Sequence, residues 1–233
     1  MNKTKPVMAA PAKKAKRDPE ATRARILNVA VAEFAAKGYS GVRIDQLALH
    51  SQSNVRMIYY YFGGKEKLYI EVLEYTLGKL RAEELTLDSS TLPPLDGLMQ
   101  MFEFLDRHFS AHPELMSLLS SENLNRARFM KKSSVIPAIS SPVIRQLSSL
   151  LQRGALDGTV RAGIDPLHLY VTLVSLSYFH KSNAHTLSWI FETDLLGRVW
   201  QADHRQQTRQ MLLQFLTPAP AGPAQPDAAG ARA

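Results

Sequence analysis

The stretch IDQLALHSQSNVRMIYYYFGGKEKL, Ile44 to Leu68, decides the fold. Ile44, Leu47 and Ala48 recur at helical spacing before the polar run Ser51-Gln52-Ser53-Asn54 breaks the pattern. Ser and Asn side chains compete for backbone hydrogen bonds and favour turns and caps over helix interiors. A second short helix runs through Phe62 and is stopped by Gly63-Gly64, glycine being the residue that turns left-handed without a Cβ clash. Lys65-Glu66-Lys67 then opens a longer helix with Leu68, Val72, Tyr75 and Leu80 on one face. Two short helices joined by a tight turn, with Ile58, Tyr59, Phe62 and Leu68 as a small core, are therefore expected here.

Upstream, Asp18-Pro19-Glu20 supplies a capping acid, a proline at the first helical position and a second acid in the first turn. Ile26, Leu27, Ala30, Phe34 and Ala35 continue at helical spacing, Arg23 and Arg25 lie near the start, and Lys37-Gly38 closes the helix. The unit is thus a three-helix head over residues 18–67. Residues 1–17, with Lys13, Lys14, Lys16 and Arg17 among Pro and Ala, are expected to form a disordered basic tail.

Charge is distributed unevenly. Residues 1–70 hold 13 Lys/Arg against 5 Asp/Glu, whereas residues 71–233 hold 15 against 16, so the net +7 belongs to the first third. A basic head on a neutral body suits a polyanion, because neutralising phosphates releases counterions. The same charge would serve a helical adaptor placed on a protein or on an anionic membrane surface, which is the alternative reading. Zero cysteines exclude disulfides and thiol chemistry and fit a reducing compartment, so the cytoplasm is expected. The longest apolar run, Leu167 to Phe179, is too short to span a bilayer, and no secretory signal opens the chain. No nucleophile elbow or phosphate-cradling glycine loop is present, so no enzyme is expected. His108, His180 and His185 lack a ligand spacing with carboxylates, so neither a metal nor a cofactor is expected.

Residues 68–217 read as a larger helical domain. Asp88 to Pro94 reads as a loop, and Leu95 to His112 as a helix with Leu98, Met101, Phe102, Leu105 and Phe109 on one face. Glu114 to Asn125 is helical, Arg126 to Ser141 has no clear period, and Pro142 to Leu156 is amphipathic. The helix begun by Asp165-Pro166 is apolar over much of its circumference and should be buried on more than one side, at a dimer interface or in a deep core. A last helix spans Asp203 to Leu216, and the Pro/Ala/Gly tail over 218–233 is expected to be disordered. With no strand alternation anywhere, the fold class is all-α.

A major groove admits one helix, whose first residues must offer groups to base edges. Asn54 either caps the second short helix or contacts DNA, Val55 suits a thymine methyl, and Arg56 suits a guanine bidentately. Tyr60 and Tyr61 offer hydroxyls, while Arg43 and Lys65 sit at helix starts suited to phosphates.

Ala48, Ile58-Tyr59-Tyr60-Tyr61-Phe62, Lys65-Glu66 and Leu68, together with Glu33-Phe34 and Lys37-Gly38-Tyr39, resemble the signature of the TetR family of transcriptional regulators over about residues 19–70. The family commonly has small residues, often glycine, at the positions of Gln52 and Arg56 and an apolar residue at Ser53; this chain departs at all three, and Gln52 becomes a candidate DNA contact. More loosely, Glu122-Asn123-Leu124, Ser140-Ser141-Pro142, Gly163-Ile164-Asp165-Pro166 and Ser182 to Ser188 resemble a branch related to pyrimidine-utilisation regulators. The resemblance implies a helix-turn-helix head and a ligand-binding, dimerising body. It implies a homodimer on double-stranded DNA with an inverted-repeat operator, and a repressor whose affinity a small-molecule effector modulates. The implied pocket has apolar walls from Met101, Phe102, Leu105, Phe109, Met116 and Phe179, with His108, Asn123, Tyr178 and Asn183 orienting a polar group.

Overall fold

The computed structural model describes residues 18–87 and 91–219; the basic tail over 1–17, most of the C-terminal tail, and residues 88–90 of the expected loop lie outside the described residues. Among those described, the chain forms α-helices and no strand. Helix α1 (Pro19–Gly41) starts as its sequence requires, the Asp18 carboxylate accepting from the Glu20 N–H at 3.0 Å. Its regular geometry ends at Gly38, whose φ of 65° is the left-handed turn read from Lys37-Gly38, and a short last turn follows. Helices α2 (Ile44–His50) and α3 (Val55–Phe62) complete the head, and α4 (Lys65–Leu85) leads out of it.

The body comprises α5 (Pro94–Ala111), α6 (Pro113–Leu124), α7 (Val135–Leu156), α8 (Pro166–Ser182), α9 (Ala184–Ile190) and α10 (Arg198–Leu216), with a 3-10 turn at Met130–Lys132. Helix α5 is central and packs against α4, α6, α7, α8 and α10. Its Leu98, Phe102, Leu105 and Phe109 share a buried core with Leu147 and Leu150 of α7 and Leu169 and Leu173 of α8. Two glycines set how closely these layers approach. A Cβ on Gly97 would lie 2.7 Å from Leu150 Cδ2, and one on Gly154 would lie 2.4 Å from Val160 Cγ2.

The structure departs from the sequence reading of the helices in three places. Helix α7 starts at Val135, ahead of Pro142, because Ile136 and Val143 extend the apolar face of Leu147 backwards and the helix carries the proline inside it. Helix α10 starts at Arg198, ahead of Asp203. Helix α9 was not anticipated; its seven residues are too few for a periodic signal. Helix α8 buries Leu169, Tyr170 and Leu173 within one chain, whereas Leu167, Val171 and Phe179 are each more than half exposed, so a second buried side would have to come from a partner rather than from a deep core.

An aromatic joint ties head to body. Phe34, Tyr39, Tyr69 and Phe129 form an aromatic cluster with ring centroids 4.2 to 6.3 Å apart, drawn from α1, α4 and the segment before the 3-10 turn. The buried Glu122 carboxylate closes it from α6, accepting the Phe129 and Met130 N–H groups at 3.1 and 3.0 Å. Burial pushes the Tyr69 hydroxyl up to about 12, so it stays protonated.

Candidate nucleic-acid interface

The head positions α3 by packing its apolar side inward. Ile58 and Phe62 are buried against Ile26, Ala30, Leu47 and Leu68, which leaves the opposite side of α3 outward. Two arginines of α1 hold this arrangement. The Arg25 Nε–H donates to the Ser51 carbonyl at 2.8 Å, satisfying the C-terminal end of α2. Arg23 pairs with Glu71 of α4 and sets its guanidinium 5.0 Å from the Phe62 ring centre. The turn is fixed further by the Ser51 hydroxyl, which donates to the Leu47 carbonyl at 2.7 Å.

Val55, Arg56, Tyr59 and Tyr60 are exposed and stand at i, i+1, i+4 and i+5, one continuous face of α3. Gln52, in the turn before it, is exposed too. Its φ of 49° is left-handed, which gives a physical reason for glycine at this position in the family. Asn54 caps α3, its side-chain oxygen accepting the Met57 N–H at 2.9 Å. Tyr61 is half-buried, with its ring edge-on to Tyr60 at 5.1 Å. Arg43 is exposed and paired with Asp45 at 2.8 Å, a weak surface pair that a phosphate can replace. Lys65 does not stand free: its ammonium lies 4.6 Å from the Tyr39 ring centre, and burial lowers its pKa.

The assignment of Tyr59 to the small core is corrected by this geometry, since the side chain is 54% exposed. It covers Gly64, where a Cβ would come 3.4 Å from its ring. The spacing of four from Val55 was the available signal. Ser53, where the family is apolar, carries a buried hydroxyl with no hydrogen-bond partner among the described residues.

The residues expected to line a pocket are not brought together at one site. Met101, Phe102 and Leu105 are core side chains. Phe109 and Met116 line a cavity of about 520 Å³ between α5, α6, α8 and α10, with Lys181, Leu196, Arg198 and Arg205. His108 faces a separate cavity of about 120 Å³. The Tyr178 hydroxyl donates to the Met116 carbonyl at 3.2 Å and is paired with Ser120. Asn123 and Phe179 are exposed, and the Asn183 amide donates to the Phe179 carbonyl at the end of α8. The sequence reading missed Asp106, an acid inside the apolar run of α5. It is nine-tenths buried, paired with Lys181, and accepts from Arg205 Nε at 2.7 Å.

A buried three-helix head that exposes one face of its third helix, ahead of a larger helical body, defines the helix-turn-helix class of DNA-binding proteins. Residues 26–72 match the family model described as bacterial regulatory proteins, tetR family, and residues 94–212 match the tetracyclin repressor-like C-terminal domain. The chain is 37% identical over 182 residues to the HTH-type transcriptional repressor NicS of Pseudomonas putida, covering 78% of this chain and 86% of that one. It is 43% identical over 110 residues to the HTH-type transcriptional repressor SCO4008 of Streptomyces coelicolor, covering 47% and 54%. The structure of SCO4942 from Streptomyces coelicolor shares the fold with a TM-score of 0.63 at 22% identity, covering 84% of this chain and 98% of that one. HlyIIR, a hemolysin II transcriptional regulator, does so at 0.53 and 22%, covering 87% and 100%. The chain belongs to the TetR family and is a DNA-binding transcriptional regulator.

Proposed function

We propose that this regulator is a homodimeric, non-enzymatic repressor that binds an inverted-repeat duplex through two copies of the face made by Gln52, Val55, Arg56, Tyr59 and Tyr60. We further propose that a small effector loosens it. The observation that carries the reading is that outward face of α3, in which a guanidinium, two phenols and a methyl-bearing side chain stand together on a rigid helix. Arg43, Tyr61 and Lys65 flank it for phosphates, Lys65 by leaving the Tyr39 ring. NicS and SCO4008 are both named repressors, which supports the sign of regulation.

The outward apolar residues support dimerisation. Leu167, Val171 and Phe179 on α8, and Val199, Met211 and Phe215 on α10, are each at least 41% exposed in one chain, and a second copy offers the same surface to cover them. The effector belongs in the cavity between α5, α6, α8 and α10. Phe109, Met116 and Leu196 suit an apolar body, while Lys181, Arg198 and Arg205 suit an anionic group. A ligand taking Lys181 or Arg205 from Asp106 would move α8 or α10 against α5, and so change the separation of the two heads. No helix among the described residues is long and apolar enough to cross a membrane, in keeping with a cytoplasmic site of action.

Selection from random duplexes with purified protein, followed by a salt series on the winners, tests this. An enriched inverted repeat with steep salt dependence is expected, and Arg56→Ala should relax the preference at the base pair it reads. Weak binding without any preferred sequence would overturn the operator reading in favour of a general polyanion binder.

A further inference from the structure

Away from both sites, two imidazoles four residues apart, His108 in the last turn of α5 and His112 at the junction that caps it, have ring centres 4.4 Å from each other. Glu83, near the end of α4, reaches His108 Nδ1 at 2.9 Å, and Glu114, in the first turn of α6, reaches His112 Nδ1 at 2.9 Å. One nitrogen of each imidazole and one Glu83 carboxylate oxygen lie within 4.8 Å of one another. We infer that Glu83, His108 and His112 form a binding site for a divalent transition-metal ion of the zinc class, clamping the end of α4 to α5.

Donor type, spacing and setting all fit such an ion. Imidazole nitrogen with carboxylate oxygen is the donor set preferred by zinc, cobalt and nickel over calcium or magnesium. With bond lengths near 2.1 Å, tetrahedral ligand atoms stand ~3.4 Å apart, so side-chain rotations that close the set by up to ~1.4 Å complete the site. His108 is anchored by burial, its side chain 2% exposed, whereas His112 and Glu83 are 27% and 46% exposed and have room to turn inward. Glu114, already bonded to His112, either orients that ring or becomes the fourth ligand. The adjoining cavity of about 120 Å³, lined in part by Asn28, Thr76 and Tyr75, gives an ion and its water a way in. Lys79 lines the same cavity and opposes a cation, but its ammonium sits 5.7 Å from the Tyr75 ring centre, where the ring face attracts it. The sequence signal is the pair of histidines four apart at the end of α5, one of which, His112, stands outside the set of His108, His180 and His185.

Helix α4 runs from the head into the body, so an ion at its far end would restrain the tilt of the head. That consequence for DNA rests on the repressor reading, whereas metal binding does not. The test is therefore made without DNA. The full chain, stripped with chelator, is titrated with Co2+ while its visible d–d absorption is followed, and zinc is then added in competition. One Co2+ per chain with a tetrahedral spectrum displaced by zinc is expected, as is a rise of ~5 °C in thermal midpoint at a hundredfold excess of zinc over Kd. His112→Ala, at a part-exposed position, should keep the fold and lose at least ~10-fold in affinity and the thermal shift, and Glu83→Gln should weaken binding likewise. His185→Ala, on exposed α9, should change nothing. Absence of a tetrahedral cobalt spectrum in the wild type, or equal affinity in wild type and His112→Ala, would overturn the site.

Discussion

Replacing Gln52 by glycine separates the backbone of the turn from its contribution to DNA binding. Gln52 holds φ at 49°, a conformation that costs a residue with a Cβ about 1–2 kcal/mol. Glycine removes that cost but loses roughly 0.5–1 kcal/mol of extra freedom on folding. The side chain is exposed, so little packing is forfeited. Gln52→Gly should therefore stabilise the fold by about 0.5–1 kcal/mol, a rise of roughly 1–4 °C for a chain of this size. Losing the carboxamide removes one hydrogen bond to DNA in each half-site, about 0.5–1.5 kcal/mol or roughly 2- to 12-fold per half-site. Urea midpoints followed by circular dichroism read the first effect, and fluorescence anisotropy on a selected operator reads the second. A lower midpoint would refute the strain argument. A higher midpoint with unchanged affinity would remove Gln52 from the DNA-contacting set.

Arg56→Ala should cost about 1–3 kcal/mol on the selected operator and much less on random duplex, measured by anisotropy against both. Gly154→Ala drives a methyl into Val160 and Pro94 and should destabilise the fold by about 1–3 kcal/mol, seen as a lowered thermal midpoint. Burial, aided by Lys181 and His204, depresses His180 to about 4, so the unfolded chain takes up its proton first as pH falls. The stability this neutral imidazole permits is complete above pH ~6.5 and declines toward pH 4, by on the order of 3 kcal/mol. Replacing His180 by Asn should flatten that decline in urea midpoints measured between pH 7 and pH 4.5, and an unchanged slope would sink the assignment.

The head was legible because its signals are local: Asp18-Pro19, Gly38 and Gly63 mark helix ends by backbone chemistry acting within a few residues. Inside α3, periodicity separates Ile58 and Phe62 from Val55 and Arg56, and the spacing of four from Val55 puts Tyr59 outward although its aromatic ring suits a core. Arg23 and Arg25 gave no sign of binding Glu71 and the Ser51 carbonyl, since those partners lie 48 and 26 residues away. The body was harder to read for the same reason. Apolar side chains on α5 announce burial, and whether Phe109 meets a cavity while Phe102 meets only neighbours depends on helices that follow much later in the chain.

The aromatic joint bears on how such regulators can be recombined. A graft that exchanged the head by cutting after residue 67 would carry Phe34 and Tyr39 away while leaving Tyr69 and Phe129 behind, and the Glu122 carboxylate with them. The rings stack face and edge across that seam, so a foreign head would have to reproduce their shapes to keep water out. The exchangeable cassette is therefore larger than the DNA-reading unit: it includes the start of α4, the end of α6 and the Phe129 segment. Chimeras that respect this boundary inherit a working linkage, and those that do not begin with a wound in their core.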